Sequence, residues 1–317
     1  MDALIGYTGF VGSALDRQHN FGAKYNSSTI KTLRGEKFET VVCAAAPGSM
    51  FEANRLPEQD REHIDTLVSD LETVKAKTFV LISSIAVFDR FDGQQTEASG
   101  DFETQNAYGA NRRALETAIS DHFENSLIVR LPALYGRGLK KNFVFDILNP
   151  VPTMLTRERF SGLMERVPDA WRPELTDMYA LNSMLDMFVV DRNRLASFRY
   201  RVELEILLQE AGLSAVYFTN PASKYQFYGV QNLWRDINVA RAASLTQLHL
   251  ATEPVQAAEV YRALTGEKMP ETGARLHLED FRTLHAALWR RDGSYIMGAS
   301  EVLEAMTSQM ARGTALG

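Results

Sequence analysis

The sequence predicts an α/β fold: a doubly wound parallel sheet followed by a smaller, mixed C-terminal region. Three observations predict it. An apolar N-terminal strand, Ala3-Leu4-Ile5, runs straight into a turn with glycines at positions 6, 9 and 12. Two further strands, around Val41-Val42-Cys43 and Phe79-Val80-Leu81-Ile82, are apolar throughout, as strands covered on both faces are. Between them Glu58 to Lys75 is polar, with Ile64, Leu67, Val68 and Leu71 at helical spacing, and strand alternating with helix builds a parallel sheet.

The elements follow in order. After the first strand, Gly6 permits a tight turn, Gly9 lets the backbone approach an anion, and Gly12 allows close helix–strand packing. The positive end of the helix that starts there faces the anion. The spacing is Gly-x-x-Gly-x-x-Gly, not Gly-x-Gly-x-x-Gly, and its place after an apolar run makes it a pyrophosphate cradle of a Rossmann-like domain. Candidate cofactor contacts are Gly6, Thr8, Gly9, Phe10, Val11 and Gly12. The strand Ala23-Lys24-Tyr25 ends in Asn26, with no carboxylate to repel a 2′-phosphate and with Lys31 and Arg34 close by. NADP is therefore allowed alongside NAD. The strand through Cys43 ends in Ala44, Ala45, Ala46 and Pro47, small residues suited to passing a flat cofactor. The next ends in Ser83 and Ser84, and Asn26, Ala44, Ala45 and Ser83 join the candidate cofactor contacts. Ligands sit beyond the carboxyl ends of such strands, so these three ends are expected to converge on one crevice. A helix from Asn106 to about Ser120 puts Tyr108 and Arg112 on one face. The strand Ser126–Leu131 and the turn Pro132–Gly138 complete this region.

Composition excludes several classes. The 317 residues are 45% apolar and 23% charged, ordinary for a globular protein. A net charge of −6 predicts no affinity for nucleic acid or anionic membrane. No apolar run approaches the roughly 18 residues that span a bilayer, and a chain opening on strand and turn is not a signal peptide. The lone cysteine, Cys43, makes no internal disulfide and reads as a small buried hydrophobe; cytoplasm is the expected compartment. Six histidines, at 19, 63, 122, 249, 277 and 285, lack metal-ligand spacing, so no metal is assigned.

Taken together, Gly6-x-x-Gly9-x-x-Gly12, Ala44-Ala45, Ser83-Ser84-Ile85-Ala86-Val87-Phe88, Tyr108 with a basic residue four positions on, and Arg130 through Leu134-Tyr135-Gly136 resemble the extended short-chain dehydrogenase/reductase family. That family holds nucleotide-sugar epimerases, dehydratases and reductases, and the compact opening is similar to its sugar-nucleotide reductases. The resemblance is good over about residues 1 to 140 and returns more weakly near 225–237 and 248–254. It implies hydride exchange with NAD or NADP while Tyr108 exchanges a proton with the substrate oxygen, which Ser84 orients. A tyrosine of pKa near 10 needs a nearby cation to form phenolate near neutrality. The family places a lysine there, which also holds the nicotinamide ribose; here the position is Arg112. Arginine keeps the charge but cannot replace lysine in a proton relay. Dehydrating members resemble one another in carrying Asp-Glu after the serine or threonine. Ile85-Ala86 cannot move a proton, so reduction, oxidation or epimerisation fits better than 4,6-dehydration.

The resemblance also implies a domain division: a dinucleotide-binding domain over 1–140 and a substrate-binding region over 141–317 that partly returns to the core at about 225–255. Within the latter, 150–220 reads as a packed helical subdomain, Met184 to Val190 as a strand or helix, and Glu203 to Gly212 as a helix. Ala215–Phe218 reads as a strand, Pro254 to Gly266 as an amphipathic helix, Asp280 to Trp289 as a surface or interface helix, and 311–317 as a frayed end. The partner expected is a small molecule, a nucleotide sugar or related polyol, and a homodimer is compatible. Two functions stay open: an NAD(P)-dependent oxidoreductase or epimerase with Ser84, Tyr108 and Arg112 as catalytic residues, or a non-catalytic, regulatory NAD(P)-binding protein with a degenerate Tyr-x-x-x-Arg site.

Overall fold

A computed structural model describes residues 1–314, the last four of them as helical backbone only. The fraying expected over 311–317 concerns side chains and residues outside that description. The chain divides into two compact units, one of residues 1–139, 224–255 and 278 onward, the other of 140–223 and 256–277.

The first unit is built on six parallel strands: β1 (Asp2–Ile5), β2 (Ala23–Tyr25), β3 (Lys37–Cys43), β4 (Lys75–Ser84), β5 (Ser126–Leu131) and β6 (Gln247–His249). Their order is β6-β5-β4-β3-β1-β2. Helices α1 (Phe10–Gln18) and α5 (Leu233–Ala242) cover one face, where Leu15, Leu233 and Ile237 pack on Leu4, Val42, Val80 and Val129. Helices α3 (Pro57–Leu71) and α4 (Ala107–His122) cover the other, with Ile64, Leu67, Leu71, Leu115 and Ile119 against Val41, Phe79 and Leu81. Burial on both faces is why these strands are apolar throughout. The chain leaves β1 for β2 on one side and returns to β3 on the other. That reversal opens a crevice at the carboxyl ends of β1 and β3.

A charged network is buried in this unit. Glu116 of α4 and Arg130 of β5 are both fully buried and joined by two hydrogen bonds of 2.9 and 2.7 Å. Arg130 also meets His249 Nε2 at 3.1 Å, and His249 Nδ1 lies 2.9 Å from the Arg282 carbonyl. With a guanidinium donating to Nε2, the proton sits on Nδ1 and the ring is neutral. Burial pushes the imidazole down to about 4; Glu97 opposes this and Arg130 adds to it. The folded ring therefore binds its proton more weakly than the unfolded one. Its contribution to stability is present above pH 6.5 and is lost as pH falls toward 4. Between pH 7 and pH 5 the loss is expected to be about 2 kcal/mol. Urea denaturation at both pH values measures it: His249→Gln should flatten the difference, and an unchanged difference would count against the assignment.

Residues 280–289 depart from the expected surface or interface helix. Phe281 is buried, and the segment spends its backbone on neighbours: Asp280 N–H to Phe91, Arg282 N–H to Gln95, Thr283 N–H to Ser294. Gln226 holds it from beneath, donating to the Phe281 carbonyl at 2.8 Å and accepting from its N–H at 2.7 Å. Only Ala286–Trp289 closes a 3₁₀ turn.

The second unit has its own core, including Leu163, Leu175, Met178, Leu204 and Leu208. Helices such as Arg157–Arg166, Arg201–Glu210 and Ala257–Thr265 accompany a three-stranded antiparallel sheet in which 187–190 lies between 154–155 and 179–182. It is thus mixed, not purely helical. Ala215–Phe218 is a 3₁₀ turn instead of a strand, because Ala215 and Val216 are both buried there and no strand lies alongside among the described residues. No helix of the described residues is long and apolar enough to cross a membrane.

Candidate functional site

The glycine turn sits at the carboxyl end of β1. Gly6 adopts φ +86°, and a Cβ there would lie 2.6 Å from the Ala44 carbonyl, so only glycine lets β1 and β3 end side by side. A Cβ on Gly12 would overlap the Gly6 carbonyl, so the first turn of α1 presses directly on the loop. Gly9 differs. It is exposed, caps α1 without a side-chain bond, and a Cβ would meet only the Gly6 carbonyl, at 3.4 Å. The fold tolerates a side chain at Gly9; an anion in front of the helix would not. The first intrahelical bond is Ser13 N–H to Gly9, which leaves the amides of Phe10, Val11 and Gly12 at the open end of the helix. Thr8 is exposed beside them. A cradle so close-packed behind and open in front fits a dinucleotide pyrophosphate.

Around it lie the ends of the neighbouring strands. Asn26 follows β2, and its Oδ1 accepts from the N–H groups of Ser28 and Thr29 at 3.0 and 3.2 Å. It shapes the turn that follows β2. Ala44 and Ala45, half-buried, close the side of the crevice. Arg34, weighed as a phosphate partner, pairs with Asp70 at 3.1 Å.

Tyr108 stands in the first turn of α4, placed by two contacts. Its N–H donates to Asn54 Oδ1 at 2.9 Å, and Gly109 packs so closely on the Ala86 carbonyl that a Cβ would not fit. The Ser84 side chain lies near enough to the phenol to lower its pKa. Ser84 Oγ in turn accepts from Ala86 N–H at 3.1 Å, which fixes the turn after β4. Burial pushes the Tyr108 phenol above its ordinary 10, while Arg112 and the Ser84 hydroxyl pull it down and Asp60 pushes it up. Tyr108 is consequently protonated near neutral pH and able to donate.

Arg112 does not face the crevice as a lysine-like ribose anchor would. It is buried, with its guanidinium paired with Asp60 and donating to the Pro47 carbonyl. Its Cζ lies 4.1 Å from the centre of the Tyr108 ring. Only Nε lacks a partner, and it too is buried. Ser83 also differs from the cofactor contact expected of it: its hydroxyl donates to Glu116 Oε1 at 2.6 Å, inside the buried network. Neighbouring residues on a strand alternate faces, and Ser83 continues Phe79 and Leu81 on the face covered by α4. Ser84, Tyr108, the glycine turn, Asn26 and the two alanines thus meet at one end of the sheet, whereas Arg112 and Ser83 turn inward.

Sequence reasoning missed Asp60 and Asn111, both buried, with Asn111 Nδ2 donating to Asp60 Oδ2 at 2.8 Å. The signal was present: Asp60 precedes Ile64, Leu67 and Leu71 at i−4 on the inward stripe of α3. No group of His, Cys, Asp and Glu among the described residues has the arrangement to hold a metal ion.

The fold and the crevice define a Rossmann-like α/β protein with an open glycine cradle and a tyrosine and a serine beside it. More particularly, the chain belongs to the RmlD substrate binding domain family, which matches residues 4–179. No curated protein matches it in sequence. Among solved structures it is similar to a dTDP-4-dehydrorhamnose reductase from Bacillus anthracis in complex with NADP, at 13% identity, TM-score 0.59, and 98% and 97% coverage of the two chains. A UDP-galactose 4-epimerase is similar at 12% identity and TM-score 0.61, with 98% and 99% covered. So is TunA, an NAD-dependent NDP-hexosamine 5,6-dehydratase, at 14% and 0.59, with 98% and 97% covered. At such identities the likeness is one of fold.

Proposed function

We propose that this protein is an NAD(P)-dependent oxidoreductase or epimerase acting on a nucleotide-activated sugar or related polyol, with Tyr108 as acid/base. The observation that carries this is the Tyr108 phenol standing close enough to Ser84, at the end of β4, for that hydroxyl to lower its pKa, next to the open glycine cradle. A bound NAD(P)H supplies the hydride. Gly6 to Gly12 hold the pyrophosphate through main-chain amides and the end of α1. Ser84 orients the substrate oxygen, and Tyr108, protonated near neutrality, donates its proton to that oxygen. A phenol held in its acid form suits carbonyl reduction better than oxidation. Dehydration is disfavoured by Ile85 and Ala86, buried and without acid or base, although a dehydratase shares the fold.

A second reading, a dinucleotide-binding protein without turnover, draws on the withdrawal of Arg112 to Asp60. Incubating the protein with NADH or NADPH and a panel of nucleotide-activated keto sugars separates the two. Nucleotide oxidation that depends on one sugar supports the enzyme; binding without turnover across the panel supports the alternative.

Both readings require the cradle. Gly9→Val is expected to weaken NAD(P) binding at least about tenfold, by filling the place of the phosphates, while the melting temperature stays near that of the wild type. Calorimetry on both proteins checks it, and a wild type that binds neither nucleotide in either redox state removes the dinucleotide assignment altogether.

A further inference from the structure

Four groups from three elements converge behind Tyr108. Arg112, four residues along α4, lays its guanidinium against the phenol ring, Cζ to centroid 4.1 Å. Asp60 of α3 takes one end of the fork, and the Pro47 carbonyl after β3 takes the other. Asn111 donates to the same Asp60 oxygen at 2.8 Å. Asp60 and Arg112 are only 5% and 2% exposed, so water neither competes for this pair nor screens it. A buried carboxylate is costly without partners, yet this one stands where the stripe Ile64, Leu67, Leu71 calls for an apolar residue. Shape explains the choice of cation. A planar fork can reach a carboxylate and a carbonyl with its two terminal nitrogens while its face rests on a ring; one ammonium cannot occupy all three places.

We infer that Asp60 is a positioning residue for Tyr108, acting through Arg112: it clamps the guanidinium flat behind the phenol and offsets its charge. The inference rests on the reading of Tyr108 as the acid/base of the site, but its test does not need turnover. The charged groups facing the phenol are Arg112 from its own helix and Asp60 from α3, while β4 contributes the neutral hydroxyl of Ser84; α2 (Met50–Arg55) meets Tyr108 at its backbone N–H, through the neutral amide of Asn54. Arg112 stabilises phenolate and Asp60 opposes it, so the two should act on Tyr108 with opposite sign. Burial does most to hold Tyr108 in its proton-donating form, and Asp60 adds to it by opposing the guanidinium beside the ring. The clamp also means that Arg112→Lys, although it restores the cation usual in similar proteins, should not restore their chemistry.

The test places 3-fluorotyrosine at position 108, where the fluorine resonance reports that residue alone and the more acidic phenol titrates while the protein is folded. In Asp60→Asn the acceptor for Asn111 and Arg112 remains but the charge is gone, and the midpoint should fall by about one pH unit. In Arg112→Lys the ammonium is drawn to Asp60 and off the ring, and the midpoint should rise. Shifts of opposite sign are expected from a clamp that works through charge; packing damage alone would move both midpoints the same way or neither. No shift in folded Asp60→Asn, or equal signs in the two variants, overturns the proposal. Should Asp60→Asn not fold, Arg112→Lys decides: a higher midpoint supports the clamp, an equal or lower one overturns it. A wild type inactive on every sugar would tell against the oxidoreductase and leave this result standing.

Discussion

Tyr108→Phe is expected to lower kcat about 10²-fold or more on the true substrate, the usual worth of one general acid–base group. The substitution removes a single oxygen. The ring keeps its place over Arg112, the Asn54 bond to the backbone is untouched, and Gly109 still packs on the turn at Ala86. Stability and nucleotide affinity should therefore stay near wild type, and the loss falls on the proton step. Ser84→Ala should cost a similar factor through lost stabilisation of the substrate oxygen. Part of that loss will be local order, because Ser84 Oγ also accepts from Ala86 N–H. Ser84→Thr, which keeps the oxygen, should recover most of it. Steady-state rates for the three variants settle the assignment. Wild-type turnover in Tyr108→Phe would remove the acid/base role and leave the binding-only reading in front.

The sheet and the cradle were legible in the sequence because their physical demands are local. Continuous apolar strands such as Phe79–Ile82 mean burial on both faces, and a glycine pressed between two strand ends tolerates nothing larger. The direction of a polar side chain is not local in that way. Ser83 and Ser84 differ only in parity, and parity sends one into the network under α4 and the other to the crevice. Arg112 shares a helical face with Tyr108, as spacing requires, yet its guanidinium turns to Asp60, a residue fifty-two positions away. An acid inside an apolar stripe hints at a buried partner without naming it. The segment 280–289 was misread for a related reason: its backbone bonds go to Phe91 and Gln95, far away in sequence, and to Ser294 beyond its own end, not along a helix.

Arg130→Met should be among the most destabilising single changes outside the cradle, costing about 3 kcal/mol. Arg130 and Glu116 are both fully buried, and removing the arginine strands a carboxylate with only Ser83 and the half-exposed Arg113 as partners. Arg130→Lys should fare little better, since one ammonium cannot make the paired bonds at 2.9 and 2.7 Å. The informative variant is the double one, Arg130→Met with Glu116→Leu. Replacing a whole buried ion pair by apolar side chains is often neutral or favourable, so urea denaturation should show most of the stability regained. A double variant as unstable as the sum of the singles would mean that the two groups act independently. Turnover should not return with stability. Ser83 loses its acceptor in the double variant, and Ser83 holds the last turn of β4 from which Ser84 reaches the substrate oxygen. Stability regained without activity would show that this network is kept for where it puts Ser84, and not for the energy it contributes to folding.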